Sequence, residues 1–534
     1  MTFPLFVLPI CAKFMQKNST CRITMFLLIG FILLQGCSSP DPKKSETIRC
    51  DLLVYGGTPA GVCAARAAEE QGLSVVVVEP TGHLGGMMSS GLCNSDKANH
   101  RVIGGLGLQV FQRIGNHYRD DLAWKFEPHV AKKIFDEMIV HPNITVVHRQ
   151  RVEKVIKEEQ QITTVLFTRG LTVDASMYID ATYEGDLMAR AGISYTIGRE
   201  SDETYGGVQE LSEENQWAGS ISARDKKGRL FPEIQDVPMS KPGGGDRKVQ
   251  AYNFRVCLTD TKKNQIKIKK PRGYRSKRYT LLAHHLETHP TLQLHDLIKL
   301  FQLPNQKYDI NSNGPFSTDY LGGSWDYPDA DYELRKKIWI DHQRYTQGLF
   351  YFLGHDKRVP SHIRKDMKRY GYAKDEFKDN HHWPYQLYVR EGRRMKGAFI
   401  LTEQDVIKRL EKADNIGMGS HYIESHHIQR FMSPDGYVQN RGLVRTRGKV
   451  RPYQIPYRSI TPQKTECANL LVPVCLSASH IAYCSLRMEP QYMILGHSAG
   501  VAAAHALHSN RAVQDVDIAA LQSALKEQGQ VLAY

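Results

Sequence analysis

The chain carries the stretch DLLVYGGTPAGVCAARAAEEQGLSVVVVE at residues 51–79, and this stretch decides the fold. Asp51 to Tyr55 has the character of a short buried strand, and Ala60 to Gln71 has strong helix propensity. Ser74 to Val78 is a valine run typical of a buried parallel strand. The order strand, glycine-rich turn, helix, strand predicts a nucleotide-binding βαβ unit.

Each part of this unit has a physical task. Gly56 permits the tight turn, Gly61 lets the helix pack on the sheet, and the helix N-terminus attracts a pyrophosphate. A strict G-x-G-x-x-G motif has glycine where this chain has Thr58, and Gly57 gives backbone access one place earlier. A tight turn without a ligand is the alternative interpretation. The predicted cofactor contacts are Gly56, Gly57, Thr58, Pro59, Ala60, Gly61 and, at the adenosine ribose, Glu79.

A second glycine pair, Gly85-Gly86, follows and precedes Met87. The whole block GGTPAGVCAARAAEEQGLSVVVVEPTGHLGGMMSSGL, residues 56–92, resembles the FAD-dependent oxidoreductases related to glutathione reductase and fumarate reductase flavoproteins. The resemblance implies an α/β fold with a Rossmann-like FAD-binding domain of the glutathione reductase type. It also implies that FAD is the cofactor and that Gly85, Gly86 and Met87 lie along it.

Two later motifs resemble the same family. MYIDATYEGDL at residues 177–187 is similar to its second flavoprotein motif, and RMEP at 487–490 precedes a small-residue helix predicted over 493–504. In the family, the start of that helix points its dipole at the flavin N1–C2=O edge. Glu184 and Asp186 are at least as well explained as helix caps. The contacts implied by the resemblance are Val152 (at the adenine), Ala181, Thr182, Gly496, Ala499, Gly500 and Val501.

Both chain ends are therefore expected to build one cofactor domain. The predicted boundaries are 48–200 for its first part, 201–450 for a large inserted α+β substrate domain, 451–515 for its C-terminal part and 516–534 for a C-terminal segment. An inserted substrate domain would close over the flavin and exclude water.

Residues 1–36 have the composition of a secretory signal, with basic residues ahead of an apolar run. The ending Leu34-Gln35-Gly36-Cys37 resembles a bacterial lipobox, which implies cleavage before Cys37 and lipid attachment to its sulfur. Residues 37–47 would be a tether. This predicts a location at the bacterial cell envelope with a lipid anchor as the membrane attachment. A membrane anchor or a non-lipidated signal is the alternative.

The formal net charge is +14 over 534 residues, which favours anionic partners. The basic residues are scattered, and no helix-turn-helix or zinc-finger spacing accompanies them, so nucleic acid is not expected as a partner. The ten cysteines form no C-x-x-C pair. The expected substrate is a small molecule or carbohydrate, and an anionic one suits the charge.

His480 lies just upstream of the flavin-facing helix and is the predicted catalytic base, with a structural histidine as the alternative. Arg487 is the predicted anchor of an anionic substrate or of the flavin, unless it pairs with Glu489. Other candidate sites are weaker. Arg390, Arg393 and Arg394 are candidate carboxylate ligands with salt bridges as the alternative for at least two, and His421, Glu424, His426 and His427 suit polar contacts better than a metal.

These features predict an FAD-dependent oxidoreductase that oxidises an alcohol-type group of a small molecule or carbohydrate. A redox-neutral lyase that uses flavin or NAD on a glycan is one alternative. A non-catalytic glycan-binding lipoprotein is another. The sequence does not identify the electron acceptor.

Overall fold

The computed structural model describes residues 46–96, 98–206, 212–214, 221–237, 243–446 and 450–534. The predicted signal, Cys37 and all but the end of the predicted tether lie outside these residues and stay predictions. Residues Thr47–Tyr534 form one compact unit. None of the described helices has both the length and the apolar character that a membrane crossing needs.

The helices and strands follow one another in three stretches of chain. The first comprises β1 Glu46–Tyr55, α1 Pro59–Glu70, β2 Val75–Glu79, α2 Gly105–His117, α3 Pro128–Met138, β3 Ile144–His148, β4 Val152–Glu158, β5 Gln161–Phe167, β6 Leu171–Asp180 and α4 Asp186–Arg190. The second comprises β7 Tyr195–Thr196, β8 Ser212–Glu214, β9 Val256–Thr259, β10 Gln265–Lys267, α5 Thr280–Thr288, β11 Ile298–Leu303, β12 Lys307–Ser312, α6 Tyr332–His355, α7 Ser361–Met367, β13 Gly371–Ala373, β14 Arg394–Met395, α8 Glu403–Lys408, β15 Asn415–Gly419, β16 Gln429–Met432, β17 Val438–Arg441, β18 Leu443–Arg445 and β19 Tyr453–Pro456. The third comprises β20 Leu470–Leu471, α9 His480–Leu486, α10 Glu489–His508 and α11 Ile518–Glu527.

A seven-stranded sheet organises the first and third stretches. Its order is β3-β2-β1-β6-β5-β4, and β20 pairs with the carboxyl half of β6. β1, β2 and β3 run parallel, as do β6 and β20, whereas β4, β5 and β6 form an antiparallel meander. All five residues of β2 are buried, as the valine run predicts. The predicted α/β class with a Rossmann-type unit is confirmed.

Helix α10 packs tightly against α1. A Cβ atom on Gly496 would lie 2.1 Å from the carbonyl oxygen of Ala60, and one on Gly500 would lie 2.3 Å from that of Ala64. These glycines therefore let two helix backbones touch. The structure also corrects the start of the helix from Met493 to Glu489. Gly496, Ala499, Gly500 and Val501 consequently lie two to three turns inside a buried helix, not at its N-terminus.

The second stretch of chain contributes an antiparallel five-stranded sheet in the order β10-β13-β9-β12-β11, together with the long helix α6. One hydrophobic cluster includes residues of α1 and α10 as well as residues of β9 and α6. The region predicted as an insertion therefore shares its core with the nucleotide-binding unit, and this places α6 beside the carboxyl ends of β1 and β2.

Candidate functional site

A cleft of about 370 Å³ opens at the carboxyl ends of β1, β2 and β6. Four of the predicted cofactor contacts line it: Gly56, Thr58, Glu79 and Thr182. Open parallel sheets bind their ligands at this edge, because the loops that leave adjacent strands form a crevice there. The cleft volume falls within the range of small-molecule and cofactor sites.

The turn that leaves β1 is shaped by Gly56 and Thr58. Gly56 has φ +102°, and a Cβ atom there would lie 2.8 Å from Thr182 Cγ2, so a side chain is excluded. The Thr58 hydroxyl accepts a hydrogen bond from the Gly61 N–H (3.2 Å) and donates one to the Ala181 carbonyl (2.7 Å). Thr58 is thus the N-cap of α1. This capping role explains why the chain has threonine where the strict motif has glycine.

Glu79 fixes both loops around the cleft. Its Oε2 accepts a hydrogen bond from the Gly57 N–H (2.7 Å), and its Oε1 accepts one from the Thr81 N–H (2.6 Å). Burial raises the pKa of this carboxyl, and the hydrogen bonds from Thr81 and Gly57 oppose the rise. Because Glu79 lines the cleft, the predicted ribose contact is sterically compatible with its position.

Glu79→Ala is expected to weaken FAD binding about ten- to hundredfold, because it removes the ribose acceptor and releases two loop N–H groups. Titration of the apoprotein with FAD, followed by flavin fluorescence, measures this. Glu70→Ala is the matched control, since Glu70 is a half-exposed partner of Arg66 on α1 and lies away from the cleft. Equal dissociation constants for both variants would contradict the role of Glu79.

The second glycine pair connects the turn to the start of α10. The Gly85 N–H donates to the Gly57 carbonyl (2.7 Å), and the Met87 N–H donates to the Tyr183 hydroxyl (3.0 Å). Tyr183 in turn donates to Glu489 Oε1 (2.7 Å). A Cβ atom on Gly86 would lie 2.4 Å from the Tyr183 hydroxyl. Residues 85–87 therefore run from the nucleotide turn to the N-terminus of α10, along the predicted cofactor path.

Buried polar atoms that have no hydrogen-bond partner among the described residues lie at the second glycine pair and at the α10 N-terminus. They are Ser89 Oγ, beside Gly85, and Glu489 Oε2 and both side-chain polar atoms of Gln491 in the first turn of α10. Buried polar groups are nearly always hydrogen-bonded, so this group of atoms fits a polar ligand. FAD suits the arrangement: the turn and Glu79 would hold its adenosine and pyrophosphate, and the α10 N-terminus would face its flavin.

Glu489 gives the site a pH-dependent stability. Burial raises the pKa of its carboxyl to about 8, despite the opposing hydrogen bond from Tyr183. The folded chain keeps this proton where an unfolded carboxyl loses it. The stabilisation is therefore complete below the ordinary carboxyl pKa and is lost as the pH rises to about 8.

Glu489→Gln keeps a neutral hydrogen-bonding side chain. We expect the thermal stability of the apoprotein to fall less steeply in this variant as the pH rises from the ordinary carboxyl pKa to about 8. Thermal midpoints of the wild type and the variant, measured from acidic pH to above pH 8, give the comparison. Parallel curves for the two proteins would show that Glu489 ionises normally in the fold.

The opposite wall of the cleft was not predicted. It is formed by α6 and the segments around it, and its residues include Tyr327, Tyr332, Arg335, Lys336, Trp339, Tyr385 and Gln386. Arg151, Arg335 and Lys336 line the cleft together with three acids, Glu79, Glu184 and Asp186, and Arg335 pairs with Asp186. Nothing local in the sequence places the residues from Tyr327 to Gln386 at the cleft, because they lie more than 240 residues after the glycine turn. The stretch DYELRKKIW at 331–339 signals only an amphipathic helix start.

The predicted adenine contact at Val152 has protein partners. Its N–H donates to the Tyr55 hydroxyl (3.2 Å), and its carbonyl accepts from the Tyr332 hydroxyl (2.8 Å). Both tyrosines line the cleft. They therefore stand between the Val152 backbone and the cleft, and the predicted direct contact stays a prediction.

His480 lies at the start of α9, and Ser479 caps that helix. Its Nδ1 lies 2.8 Å from Glu391 Oε2, and its Nε2 is buried and has no hydrogen-bond partner among the described residues. Glu391 also accepts from Gln250 (2.8 Å) and pairs with Arg394. Burial would raise the pKa of Glu391, but the His480 ring and Arg394 hold it at about 2. Glu391 stays a carboxylate and favours the His480 tautomer with its proton on Nδ1.

The arginines have distinct partners. Arg393 pairs with Asp186 (2.8 Å), and Arg394 pairs with Glu391 and Glu200, so both form buried salt bridges. Asp186 begins α4 but serves mainly as the carboxylate partner of Arg335 (2.6 Å), so the capping interpretation does not describe it.

Arg487 does not pair with Glu489. It donates to the Tyr388 hydroxyl (3.2 Å) and to the Glu424 carbonyl (2.8 Å). Its Nε is buried, and no residue that the structure describes accepts a hydrogen bond from it. The predicted ion-pair alternative is therefore wrong, and the guanidinium keeps a donor for a ligand.

The histidine-rich segment at 421–427 forms polar contacts. His421 Nδ1 lies 2.8 Å from the Tyr422 carbonyl, His426 Nδ1 lies 2.6 Å from Asp319, and Glu424 pairs with Arg445. Elsewhere in the described residues, two groups have metal-like spacing: Glu391, His480 and Cys484, and Glu127, His129 and Glu376. The carboxylate of the first group pairs with Arg394, and both carboxylates of the second lie within 2.6 Å of the Lys307 ammonium.

Aromatic residues of the second stretch of chain lie both in the core and at the cleft. Tyr252 and Trp383 are buried in the core, and Tyr327 and Tyr385 line the cleft. His83 stacks on Tyr385 with ring centroids 3.4 Å apart. This contact joins the loop after β2 to the second stretch of chain across the cleft.

A family model described as FAD dependent oxidoreductase matches residues 51–525. No curated protein sequence matches the chain significantly. Among solved structures, the chain is similar to L-proline dehydrogenase from P. horikoshii (20% identity over 29% of this chain and 25% of that chain, TM-score 0.18). It is also similar to Thermovibrio ammonificans THI4 (18% identity over 35% of this chain and 76% of that chain, TM-score 0.23). A third similar structure is T. acidophilum thioredoxin reductase (15% identity over 25% of this chain and 34% of that chain, TM-score 0.18). The matches span 25% of the dehydrogenase and 34% of the reductase.

Proposed function

The chain belongs to the FAD-dependent oxidoreductase family, and from that premise we propose that it oxidises an alcohol-type group of a small molecule or carbohydrate. When bound, FAD supplies a hydride acceptor at its N5 atom. The chain must then supply a base for the hydroxyl proton and a site that holds the reacting carbon.

The observation that carries this proposal is the buried pair of His480 and Glu391. Glu391 fixes the proton on Nδ1, so Nε2 has a lone pair that accepts the hydroxyl proton of the substrate. The charge that develops on the imidazole is stabilised by the adjacent carboxylate, as in other carboxylate-oriented histidine bases. Gln250 and Arg394 hold that carboxylate in place.

The test is anaerobic mixing of the purified, FAD-loaded protein with a panel of sugars, sugar acids and polyols. We expect at least one compound to bleach the visible flavin band, with one carbonyl product formed per flavin. Product formation without bleaching and without consumption of an electron acceptor would instead identify a redox-neutral lyase.

A further inference from the structure

Two buried guanidinium groups lie side by side at the end of α9. Arg390 is 1% exposed and Arg487 is 4% exposed. Tyr388 links them: the Arg390 guanidinium lies 4.7 Å from the Tyr388 ring centroid, and Arg487 donates to the Tyr388 hydroxyl. Burial, together with the nearby charges of Arg487 and Arg255, lowers the pKa of Arg390. Two like charges are thus held close together in the interior.

Both arginines keep donors that the protein does not use. The Nε atoms of Arg390 and Arg487 are buried and have no hydrogen-bond partner in the part of the chain that the structure describes. Arg390 Nη2 lies 2.9 Å from Asp319 Oδ1, but neither atom has hydrogen-bonding geometry toward the other. Buried donors of a charged group are costly to leave unpaired, so they indicate a ligand that accepts hydrogen bonds.

Of the four arginines in this region, Arg487 alone has no ion-pair partner among the described residues. Asp319 pairs with Arg390, Asp309 with Arg255, and Glu424 with Arg445. Burial and the Arg390 charge lower the pKa of His426 to about 4, so its ring is neutral. The nearby, partly exposed Asp96 forms no ion pair with either arginine of the pair in the described part of the chain. A buried guanidinium without an ion-pair partner suits an anionic ligand.

The two arginines lie on the same segments of chain as the proposed base His480 and its partner Glu391. His480 is the first residue of α9, and Arg487 caps the C-terminus of the same helix. Gln250 binds Glu391, and the carbonyl of the adjacent Ala251 accepts from Arg390. The base and the two arginines therefore belong to one connected set of buried polar residues.

We propose that Arg390 and Arg487 bind the carboxylate of the substrate, which is therefore a hydroxy acid such as a sugar acid. The planar guanidinium fork matches a carboxylate in geometry. This inference rests on the proposed oxidation of an alcohol group, and it narrows the substrate class.

The test compares Arg487→Gln with wild-type holoprotein, using D-glucuronate and D-galacturonate, the matching neutral sugars, and glucose 6-phosphate. The first readout is the rate of anaerobic flavin bleaching. The second is the change in the flavin spectrum when a sugar acid is added, which reports binding without turnover. We expect the sugar acids to bind best and Arg487→Gln to weaken their binding about ten- to hundredfold, with FAD affinity unchanged. Arg487→Lys should give an intermediate loss, because it keeps the charge but not the fork.

Arg430→Gln is the matched control, since Arg430 is equally buried but bonds to Asn440 and the Pro315 carbonyl. The carboxylate site would be overturned if neutral sugars bound and reduced the flavin as well as the sugar acids do. It would also be overturned if Arg487→Gln bound the sugar acids as the wild type does. Both results would leave the proposed oxidation of an alcohol group standing. Acid binding that depends on Arg487 without any bleaching would support the anion site and refute the proposed oxidation. A loss of FAD affinity alone would assign Arg487 to the cofactor.

Discussion

His480→Gln is expected to slow substrate-dependent flavin reduction by about 10²- to 10⁴-fold, the usual contribution of a general base. Glutamine still donates a hydrogen bond to Glu391, so the buried carboxylate keeps a partner, but it cannot accept the hydroxyl proton. FAD affinity should be unchanged. Rapid-mixing measurements of flavin bleaching give the rate, and the FAD dissociation constant gives the independent readout.

His497→Gln is the matched control for this variant. His497 is also 1–2% exposed, but its ring bonds to Gln528 and to the Leu106 N–H and has no carboxylate partner. We expect the His497 variant to lose stability and to keep its rate of reduction per bound flavin. Equal slowing in the two variants would mean that His480 has only a structural role.

Gly496→Ala is expected to cost about 1–3 kcal/mol of the free energy of unfolding, because the added methyl group meets the Ala60 backbone. The contact at 2.1 Å involves a carbonyl oxygen, so relief requires α10 to move away from α1. Since α1 carries the nucleotide turn at its N-terminus, FAD affinity should fall as well. Chemical denaturation and FAD titration measure the two effects.

Gly354→Ala provides the control for helix propensity. Gly354 lies in α6, and a Cβ atom there would meet Met367 at an ordinary 3.7 Å. Alanine is favoured over glycine in helices by up to about 1 kcal/mol, so this variant should be unchanged or stabilised. A Gly496 variant that behaves in the same way would show that the two helices do not depend on the glycine contact.

The parts of the site that sequence reasoning found are local ones. The turn at Gly56 to Gly61 and the acid Glu79 belong to one continuous βαβ unit, whose residue order already determines where they lie in space. The role of Thr58 was also readable, since threonine before a proline is a typical N-cap signal. The same rule, applied to Pro490, would have placed the start of α10 at Glu489.

The rest depends on contacts between distant parts of the chain. Lys336 reaches the cleft because α6 packs beside β1 and β2, and no local pattern encodes that packing. Glu391 lies within a run of arginines, and this run predicts a carboxylate-binding segment. Its role as the partner of His480 therefore does not show in the sequence. Burial then decides the roles within that run: two arginines are neutralised by acids, and Arg390 keeps unused donors.

The central claim is that the cleft beside Gly56, Thr58 and Glu79 holds FAD. Titration of the purified apoprotein with FAD, followed by gel filtration and an absorption spectrum, tests it most directly. The structure predicts one tightly held FAD per chain, with resolved visible flavin bands, and a markedly lower content in Glu79→Ala. A protein without flavin bands at any FAD concentration would contradict the account.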